Sequence, residues 1–216
     1  MSPAAARAAA ILAGGSGLRL CGNKPLVELA GRPLVAYVED AARRVAGEVI
    51  VVTKEPLAAR LKMALSAETK VVIDEVPEQT PLAGIAAGLK RVTTTYVALL
   101  GCDTPLLLPR VLDALFTHAG GRDAAIPEGP SGQLEPLIAV YRRSAAERAA
   151  SDSMRAGERA VLDMVRRLRD LARVPLDLLR EVDPDLVSFR NVNTHEDLAK
   201  AEAILMRRSG ASNRVR

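Results

Sequence analysis

The feature that most constrains this chain is a short apolar run that breaks directly into glycines. Residues 8–13 are apolar, and three of the next four residues are glycine: Gly14, Gly15 and Gly17. A short apolar run bounded by glycine is typical of a buried parallel strand. Glycines let the backbone adopt positive φ and approach a ligand closely, and successive N–H groups in such a turn form a concave anion site. The stretch therefore predicts a phosphate-binding loop after the first strand, and two cations follow it, Arg19 and Lys24.

Two common nucleotide-binding loops are disfavoured by single residues. The dinucleotide fingerprint G-x-G-x-x-G meets Leu20 where its third glycine should stand. The Walker A pattern meets Asn23 before Lys24, and Pro25 follows where Ser or Thr is needed. Pro25 also disfavours a helix that starts at Lys24. The loop therefore represents another class of phosphate site.

Apolar strands alternate with helices over the first half of the chain. The predicted strands are Arg7–Leu12, Glu48–Thr53, Lys70–Ile73 and Thr95–Leu100, and the predicted helices are Pro33–Val45, Leu57–Leu65, Pro81–Lys90 and Pro109–His118. This order predicts a parallel sheet with right-handed connections. Because ligands bind outside the carboxyl ends of such strands, we expect the glycine loop, Thr53 and Asp74 to converge on one cleft.

Asp103 follows the fourth apolar strand in a turn that contains proline. Mg²⁺ prefers hard oxygen ligands and typically takes one or two carboxylates together with phosphate oxygens and water. In a sheet of this topology the end of the fourth strand should lie beside the glycine loop. The position therefore predicts Asp103 as a Mg²⁺ ligand, with capping of the next helix as the alternative.

The second half of the chain predicts more strands and helices. They are a strand over Asp123–Pro127, an apolar strand that ends near Arg143, helices Ala145–Ala156 and Ala160–Ala172, a last strand Val187–Arg190, and a closing helix to Met206. Thr194 and Asp197 have the spacing of a helix cap. Asn191 and Asn193 would point the same way from an extended strand. Residues 1–207 are predicted to form one domain and residues 208–216 a disordered tail.

Composition limits the classes of function. Apolar residues make up 49% of the chain and aromatics 2%, and 30 cations face 26 anions. Such a mixed surface with few aromatics does not indicate nucleic-acid binding. Cys21 and Cys102 lack disulfide or zinc spacing, so we expect small apolar fillers, and two widely separated histidines do not support histidine acid/base chemistry. No apolar run is long enough for a membrane span, so the expected location is the cytoplasm.

Taken together, the motifs resemble those of nucleotidyltransferases, and most closely the molybdenum cofactor guanylyltransferase family. The resemblance is carried by Leu12-Ala13-Gly14-Gly15 with Arg19 and Lys24, Asp74, Pro81-Leu82-Ala83-Gly84, Cys102-Asp103-Thr104-Pro105, Glu135-Pro136-Leu137, Arg155-Ala156-Gly157-Glu158-Arg159, and Asn191-Val192-Asn193-Thr194. It implies a three-layer α/β/α sandwich with a Rossmann-like, mostly parallel central sheet of the nucleotide-diphospho-sugar transferase type. It also implies an Mg²⁺-dependent enzyme that makes molybdopterin guanine dinucleotide and pyrophosphate from GTP and molybdopterin.

The resemblance also implies roles for individual residues. By position, the nucleotide-binding residues of the family correspond to Leu12, Ala13, Gly14, Gly15, Lys24, Thr53, Asp74 and Asp103. The catalytic residues implied are Arg19 and Lys24, which neutralise charge during transfer, and Asp103, which matches the Mg²⁺ ligand of the family. The acceptor is expected at Glu135, Asn191 and Asn193. The loop at Pro81 either helps to hold the base or only starts a helix. The family further implies contact with cofactor-synthesis proteins or acceptor apoenzymes.

Some alternatives stay open at the level of sequence. The loop departs from the usual family pattern at Leu20, Cys21 and Asn23. The base or acceptor could differ, as in a molybdenum cofactor cytidylyltransferase or a cobinamide-phosphate or sugar-phosphate enzyme, and the residues alone do not distinguish GTP from CTP. A non-catalytic nucleotide sensor or a nucleic-acid-binding protein is a further alternative. The presence of Arg19, Lys24 and Asp103 together favours catalysis.

Overall fold

The computed structural model describes residues 7–14, 23–76 and 80–212, with side chains through residue 208. Within these ranges the strands are β1 Arg7–Leu12, β2 Glu28–Leu29, β3 Arg32–Pro33, β4 Glu48–Thr53, β5 Lys70–Ile73, β6 Tyr96–Gly101, β7 Ala124–Glu128, β8 Ile138–Arg142 and β9 Leu171–Pro175. The helices are α1 Leu34–Arg43, α2 Glu55–Ala64, α3 Pro81–Leu89, α4 Pro109–Ala119, α5 Arg143–Arg155, α6 Val161–Arg166, α7 Leu176–Leu179 and α8 His195–Ser212, with short 3₁₀ helices at Lys24–Leu26 and Val187–Phe189.

The central sheet places β1 between the two strands that matter most for the site. Its order is β5-β4-β1-β6-β8-β7-β9, and β1 runs parallel to both β4 and β6. The antiparallel pairs are those that β8 makes with β6 and β7. The chain passes from β1 outward to β4 and β5 and then returns to β6 on the other side of β1. Such a reversal opens a crevice at the carboxyl ends of the strands, where ligands bind in open α/β sheets.

Helices cover both faces of this sheet. Ala9 and Ile11 of β1 pack with α1 and α4, whereas Ala8 and Ala10 pack with α3 and α5 on the opposite face. All four side chains are fully buried, as expected for a central strand of a parallel sheet. The alternation gives a three-layer α/β/α arrangement with an apolar core on each face of the sheet.

A small hairpin follows the first 3₁₀ helix. Ala30 and Gly31 both have positive φ, 48° and 76°, and Leu29 pairs with Arg32 across this two-residue turn. Positive φ at both central residues is the geometry of a type I′ turn. Leu29 is buried in a third apolar cluster that also contains Val192. The hairpin therefore connects the segment that carries Lys24 to the segment that carries Asn193.

The predicted strand over Val187–Arg190 is wrong, because this segment contains a 3₁₀ helix. The buried carboxylate of Asp183 accepts hydrogen bonds from the N–H groups of Val187 and Ser188, at 3.2 and 2.8 Å. Leu186, just before them, has a left-handed conformation with φ of 48°. Local bonds from an Asp side chain offer the backbone an alternative to strand pairing, and here they fold the segment back on itself.

The predicted helix over Ala160–Ala172 is too long. It ends at Arg166, and the chain then forms β9, parallel to β7. The carboxylate of Asp123 accepts the N–H groups of Arg169 and Asp170, which turns the chain into this edge strand. Val174 of β9 is buried in the core. The helix prediction failed here because the local apolar pattern carries no information about this long-range packing.

The closing helix continues to Ser212, six residues beyond the predicted end at Met206. Residues 213–216 of the predicted tail lie outside the described residues, so the division into domain and tail stays a prediction. In the part of the chain that the structure describes, no helix is both long enough and apolar enough to cross a membrane.

Candidate functional site

A cavity of about 310 Å³ opens at the carboxyl edge of the sheet, beside the ends of β1, β4 and β6. Six of the predicted nucleotide-binding residues line it: Leu12, Gly14, Lys24, Thr53, Asp74 and Asp103. Ala13 is fully buried below, and its carbonyl oxygen accepts the hydroxyl of Thr53 at 3.1 Å. Gly15 and Arg19 lie outside the described residues. Residues from distant parts of the chain therefore share one cavity.

Three polar side chains meet at one end of this cavity. The Lys24 ammonium donates to Asp103 Oδ2 at 2.8 Å and to Asn193 Oδ1 at 2.6 Å. Lys24 follows the glycine loop, Asp103 follows β6, and Asn193 precedes α8. The ion pair is partly exposed, with 28% of the Asp103 side chain accessible to solvent. We name Lys24, Asp103 and Asn193 the phosphate-side cluster, after the prediction from sequence that Lys24 and Asp103 act on the nucleotide phosphates.

Backbone contacts fix the carboxylate of Asp103. The hydrogen-bond ladder between β1 and β6 continues one residue further, since the Cys102 N–H donates to the Leu12 carbonyl at 3.3 Å. The Asp103 carbonyl accepts the N–H of Val192 at 2.8 Å, which connects β6 to the segment of Asn193. Gly101 is in close contact, because a Cβ at this position would lie 2.5 Å from Asp103 Oδ1. The absence of a side chain at residue 101 therefore allows the Asp103 carboxylate its present position.

A second polar pair lies at the ends of β4 and β5. The Lys54 ammonium contacts Asp74 Oδ2 at 2.9 Å and also donates to the carbonyl of Val76. Asp74 Oδ1 accepts the N–H of Val76 at 3.1 Å. The Asp74 side chain is only 5% exposed and that of Lys54 20%, and both line the cavity. We name Lys54 and Asp74 the base-side pair. Asp74 is a predicted nucleotide-binding residue, and it follows β5, whereas the phosphate-side cluster lies at β6, three strands away.

The loop that carries Glu135 lies near Asp103. Burial raises the pKa of Glu135, and the negative charge of Asp103 raises it further. The buried hydroxyl of Tyr141 donates to the Pro136 carbonyl at 2.8 Å and so holds this loop. Glu135 is half-buried beside the cavity, and its predicted contact with an acceptor stays a prediction.

The segment before α8 separates the two asparagines. Asn193 contacts Lys24, whereas Asn191 lines another cavity, of about 290 Å³, together with Arg190 and Lys200. The expectation that both amides project the same way from a strand is therefore wrong, because the segment follows a 3₁₀ helix and is not a strand. Of the two, Asn193 is the one at the phosphate-side cluster.

The predicted cap of α8 is confirmed. Thr194 Oγ1 accepts the N–H of Asp197 at 3.1 Å, and Asp197 Oδ2 accepts the N–H groups of Asn193 and Thr194 at 3.0 and 2.9 Å. Such a reciprocal arrangement satisfies backbone donors at a helix start. The hydrogen bond from Asn193 is the main reason that the pKa of Asp197 lies below its usual range. The cap therefore also fixes the backbone of Asn193.

The family of the chain follows from comparison with known proteins. The sequence model described as the MobA-like NTP transferase domain matches residues 9–173 of the 216. The chain belongs to this family. The molybdenum cofactor guanylyltransferase of Desulfosudis oleivorans is 34% identical over 197 residues, which cover 90% of this chain and 94% of that protein.

Solved structures agree with this assignment. The crystal structure of molybdopterin-guanine dinucleotide biosynthesis protein A from Archaeoglobus fulgidus matches with a TM-score of 0.79 and 30% identity, over 93% of this chain and 99% of that one. The structure of 4-diphosphocytidyl-2C-methyl-D-erythritol synthase from Anaerococcus prevotii matches with a TM-score of 0.70 and 15% identity, over 94% and 96% of the two chains. The second likeness concerns the fold alone. The predicted nucleotide-diphospho-sugar transferase fold is thus confirmed for this family member.

Other sequence predictions meet the structure in different ways. Thr80 caps α3 by accepting the N–H of Ala83 at 3.2 Å, and it also lines the cavity, so a base-holding role of this loop stays a prediction. Arg155 pairs with Asp152 on an exposed face and does not line the cavity. Burial, with a smaller contribution from Asp103, raises the pKa of Cys102 to about 12, so this buried side chain stays a thiol.

Sequence reasoning missed Lys54. Family resemblance pointed to its neighbour Thr53, but the Thr53 side chain is buried and its hydroxyl donates to the Ala13 carbonyl. The signal was present: a lysine directly after one strand and an aspartate, Asp74, directly after the next predicted strand. Strands that are consecutive in sequence are often neighbours in a sheet, which would have placed the two charges side by side.

Proposed function

We propose that this chain transfers GMP from GTP to the phosphate of molybdopterin in an Mg²⁺-dependent reaction that forms molybdopterin guanine dinucleotide and pyrophosphate. The names of relatives that match nearly the whole chain support the proposal. The observation that carries it is the convergence of Lys24, Asp103 and Asn193 at the sheet edge where α/β proteins bind ligands. A cation, a carboxylate and an amide suit phosphoryl chemistry, which needs alignment and charge neutralisation more than covalent catalysis.

The transfer step is a displacement at phosphorus. A phosphate oxygen of molybdopterin attacks the α-phosphorus of GTP, a P–O bond forms, the bond to the bridging oxygen breaks, and pyrophosphate leaves. The acceptor phosphate is already anionic at neutral pH, so the step needs no general base. We assign the N–H groups of Gly14 and Gly15 to binding the phosphates and the charges of Arg19 and Lys24 to neutralising them. An ammonium has three donors, and the described residues engage two of those of Lys24.

The residues at the phosphate-side cluster fit a magnesium ion. Asp103 and Asn193 direct a carboxylate oxygen and an amide oxygen to the same point, the Lys24 ammonium, and both are hard oxygen ligands of the kind Mg²⁺ prefers. Among the described residues, no group of three or more His, Cys, Asp or Glu offers a metal site. Mg²⁺ takes few protein carboxylates when phosphates supply the rest. Asp103 would hold the ion, which when bound supplies positive charge to the transferred phosphate.

Product identification tests the proposal. The purified chain is incubated with molybdopterin, Mg²⁺ and either GTP or CTP, and the products are identified by mass spectrometry. We expect molybdopterin guanine dinucleotide and pyrophosphate with GTP. A dinucleotide product formed with CTP alone would overturn the assignment of the base. No dinucleotide product with either nucleotide would overturn the proposed function.

A variant pair tests the role of Asp103. We expect Asp103→Asn to lower kcat/KM for GMP transfer by about 100-fold or more, because it removes the carboxylate that would hold Mg²⁺ at the transferred phosphate. The matched control is Asp113→Asn, since Asp113 of α4 forms an ion pair with Arg7 of β1 and does not line the cavity. The control should stay within about twofold of the wild type. Equal activity of the two variants would exclude Asp103 as the metal ligand.

A further inference from the structure

The base-side pair has an unused set of hydrogen-bonding positions. A carboxylate offers about four acceptor positions and an ammonium three donors. Asp74 Oδ1 accepts the Val76 N–H, and Asp74 Oδ2 forms an ion pair with the Lys54 ammonium at 2.9 Å. The Lys54 ammonium also donates to the Val76 carbonyl. Among the contacts with described residues, the pair, which lines the cavity, therefore leaves acceptor positions on both oxygens of Asp74 and one N–H donor on Lys54.

This pattern of acceptors and donor matches one nucleobase. The hydrogen-bonding edge of guanine has two neighbouring donors, N1–H and the N2 amino group, and one acceptor, O6. The edge of cytosine has one donor, the N4 amino group, and two acceptors, N3 and O2, so one acceptor of the base would face a carboxylate oxygen. Adenine has one donor and one acceptor. Because an unpaired buried polar group is costly, a site with two acceptors and one donor favours guanine.

The position of the pair in the sheet fits a base when the phosphates lie at the phosphate-side cluster. Asp74 follows β5 and Asp103 follows β6, and β4 and β1 lie between these strands. Neighbouring strands are about 4.8 Å apart, so the two ends of the cavity are separated by roughly 14 Å. That span suits a nucleoside with its phosphates and is too long for a phosphate group alone. Both ends line the same cavity.

We propose that Lys54 is a specificity-determining residue of the nucleotide site, which donates a hydrogen bond to O6 of guanine while it holds Asp74 in place to accept from N1–H and the N2 amino group. The inference rests on the proposed function, since it assumes that this cavity binds GTP. Thr53, the neighbouring residue, does not fill this role, because its hydroxyl proton is donated to the Ala13 carbonyl. Lys54 thus supplies the donor that separates guanine from cytosine at this end of the cavity.

Base analogues separate this role from a structural one. GTP, 6-thio-GTP, ITP and CTP are compared as donors for the wild type, Lys54→Met and Lys54→Arg. Sulfur is a weak acceptor, so we expect the wild type to prefer GTP over 6-thio-GTP by about 10-fold, as for the loss of a charged hydrogen bond. Lys54→Met should bring that ratio close to 1 and should also lower the ratio of GTP to ITP, which lacks the N2 amino group, because Lys54 holds Asp74 in place. Lys54→Arg should retain most of both preferences. The control Lys70→Met, which removes a lysine paired with Glu48 at the other end of β5, should leave every ratio unchanged.

The outcomes distinguish the inference from the function on which it rests. Wild-type protein that transfers GMP but uses GTP and 6-thio-GTP equally well would overturn the inference alone, and this measurement does not depend on any variant folding. A Lys54→Met variant that is slower with all nucleotides in the same proportion would also overturn it, because a merely structural role predicts that result. Wild-type protein that transfers no GMP would overturn the proposed function and the inference together.

Discussion

Replacing Gly101 by alanine tests how closely activity depends on the position of one carboxylate. Gly101 is the last residue of β6, and it is not among the glycines with positive φ, so its backbone accepts an alanine. The new Cβ would lie 2.5 Å from Asp103 Oδ1 and 3.9 Å from the Cβ of Leu137. The second distance is an ordinary contact. The substitution therefore displaces the Asp103 carboxylate and little else.

The size of the effect follows from that distance. Ordinary contacts begin at 3.4 Å, so Asp103 Oδ1 must retreat by about 0.9 Å. A misplacement of about 1 Å in a catalytic group can cost about 100-fold in rate. The loss of a glycine from the unfolded chain itself adds about 0.4–1 kcal/mol to the free energy of unfolding. We therefore expect Gly101→Ala to lower kcat/KM for GMP transfer by 10- to 100-fold while the free energy of unfolding changes by less than about 1 kcal/mol.

Transfer rates and thermal unfolding of Gly101→Ala are measured alone and in the Asp103→Ala background. For a chain of this size 1 kcal/mol corresponds to about 2–4 °C in Tm, so a larger fall would show damage to the fold. Without the Asp103 carboxylate there is nothing to displace, and Gly101→Ala should then stabilise by about 0.4–1 kcal/mol. Activity of Gly101→Ala within twofold of the wild type would refute the reasoning, as would an identical shift in Tm in both backgrounds.

Two further predictions concern packing and pH. Gly88→Ala should lower the free energy of unfolding by about 1–2 kcal/mol despite the better helix propensity of alanine, because its Cβ would lie 2.9 Å from the buried, stiff side chain of Val52. Gly84→Ala, one helical turn earlier in α3 with no neighbour nearer than 3.6 Å, should raise it, and equal shifts in Tm for the two variants would contradict this. The hydrogen bond from Asn193 holds the pKa of Asp197 below its usual value of 3.8, so the stability that Asp197 contributes is present above that pH and is lost as the pH falls through the lowered pKa. The stability difference between wild type and Asp197→Asn should therefore shrink on acidification below about pH 4, and a difference that is constant from pH 7 to pH 3 would contradict the assignment.

The parts of the fold that sequence predicted are those with strong local patterns. β1 is a continuous apolar run that ends in glycine, and its predicted neighbour across the crevice, β6, is another such run that ends in Gly101. Once the strands alternate with helices, topology alone requires their carboxyl ends to share an edge. That is why Lys24 and Asp103, 79 positions apart, were expected in one cleft and lie 2.8 Å apart.

The segments that sequence misassigned are held by contacts between distant residues. β9 packs Val174 into the core only because Asp123, which immediately precedes β7, turns the preceding loop toward the sheet. The segment around Ser188 has the apolar content of a strand, yet the buried carboxylate of Asp183 uses its backbone donors. Nothing in the sequence distinguishes these two carboxylates from the other acidic residues of the chain, because their roles depend on contacts that form only in the folded chain.

The base-side pair shows a different limit of prediction from sequence, because Lys54 was not identified as a candidate site residue. From sequence alone, a lysine that follows a strand is interpreted as a solvated charge. The resemblance to the family instead indicates the neighbouring residue, Thr53, which matches a nucleotide-binding position. The role of Lys54 follows from how many of its N–H donors remain after its contacts within the protein are made. That number depends on the folded structure and not on the sequence pattern. The Thr53 hydroxyl donates its proton to the Ala13 carbonyl. The contacts of Lys54 with described residues, an ion pair with Asp74 and a hydrogen bond to the Val76 carbonyl, leave one of its three N–H groups for the base. The residue that matches a relative by position, Thr53, is therefore not the one that we propose selects guanine.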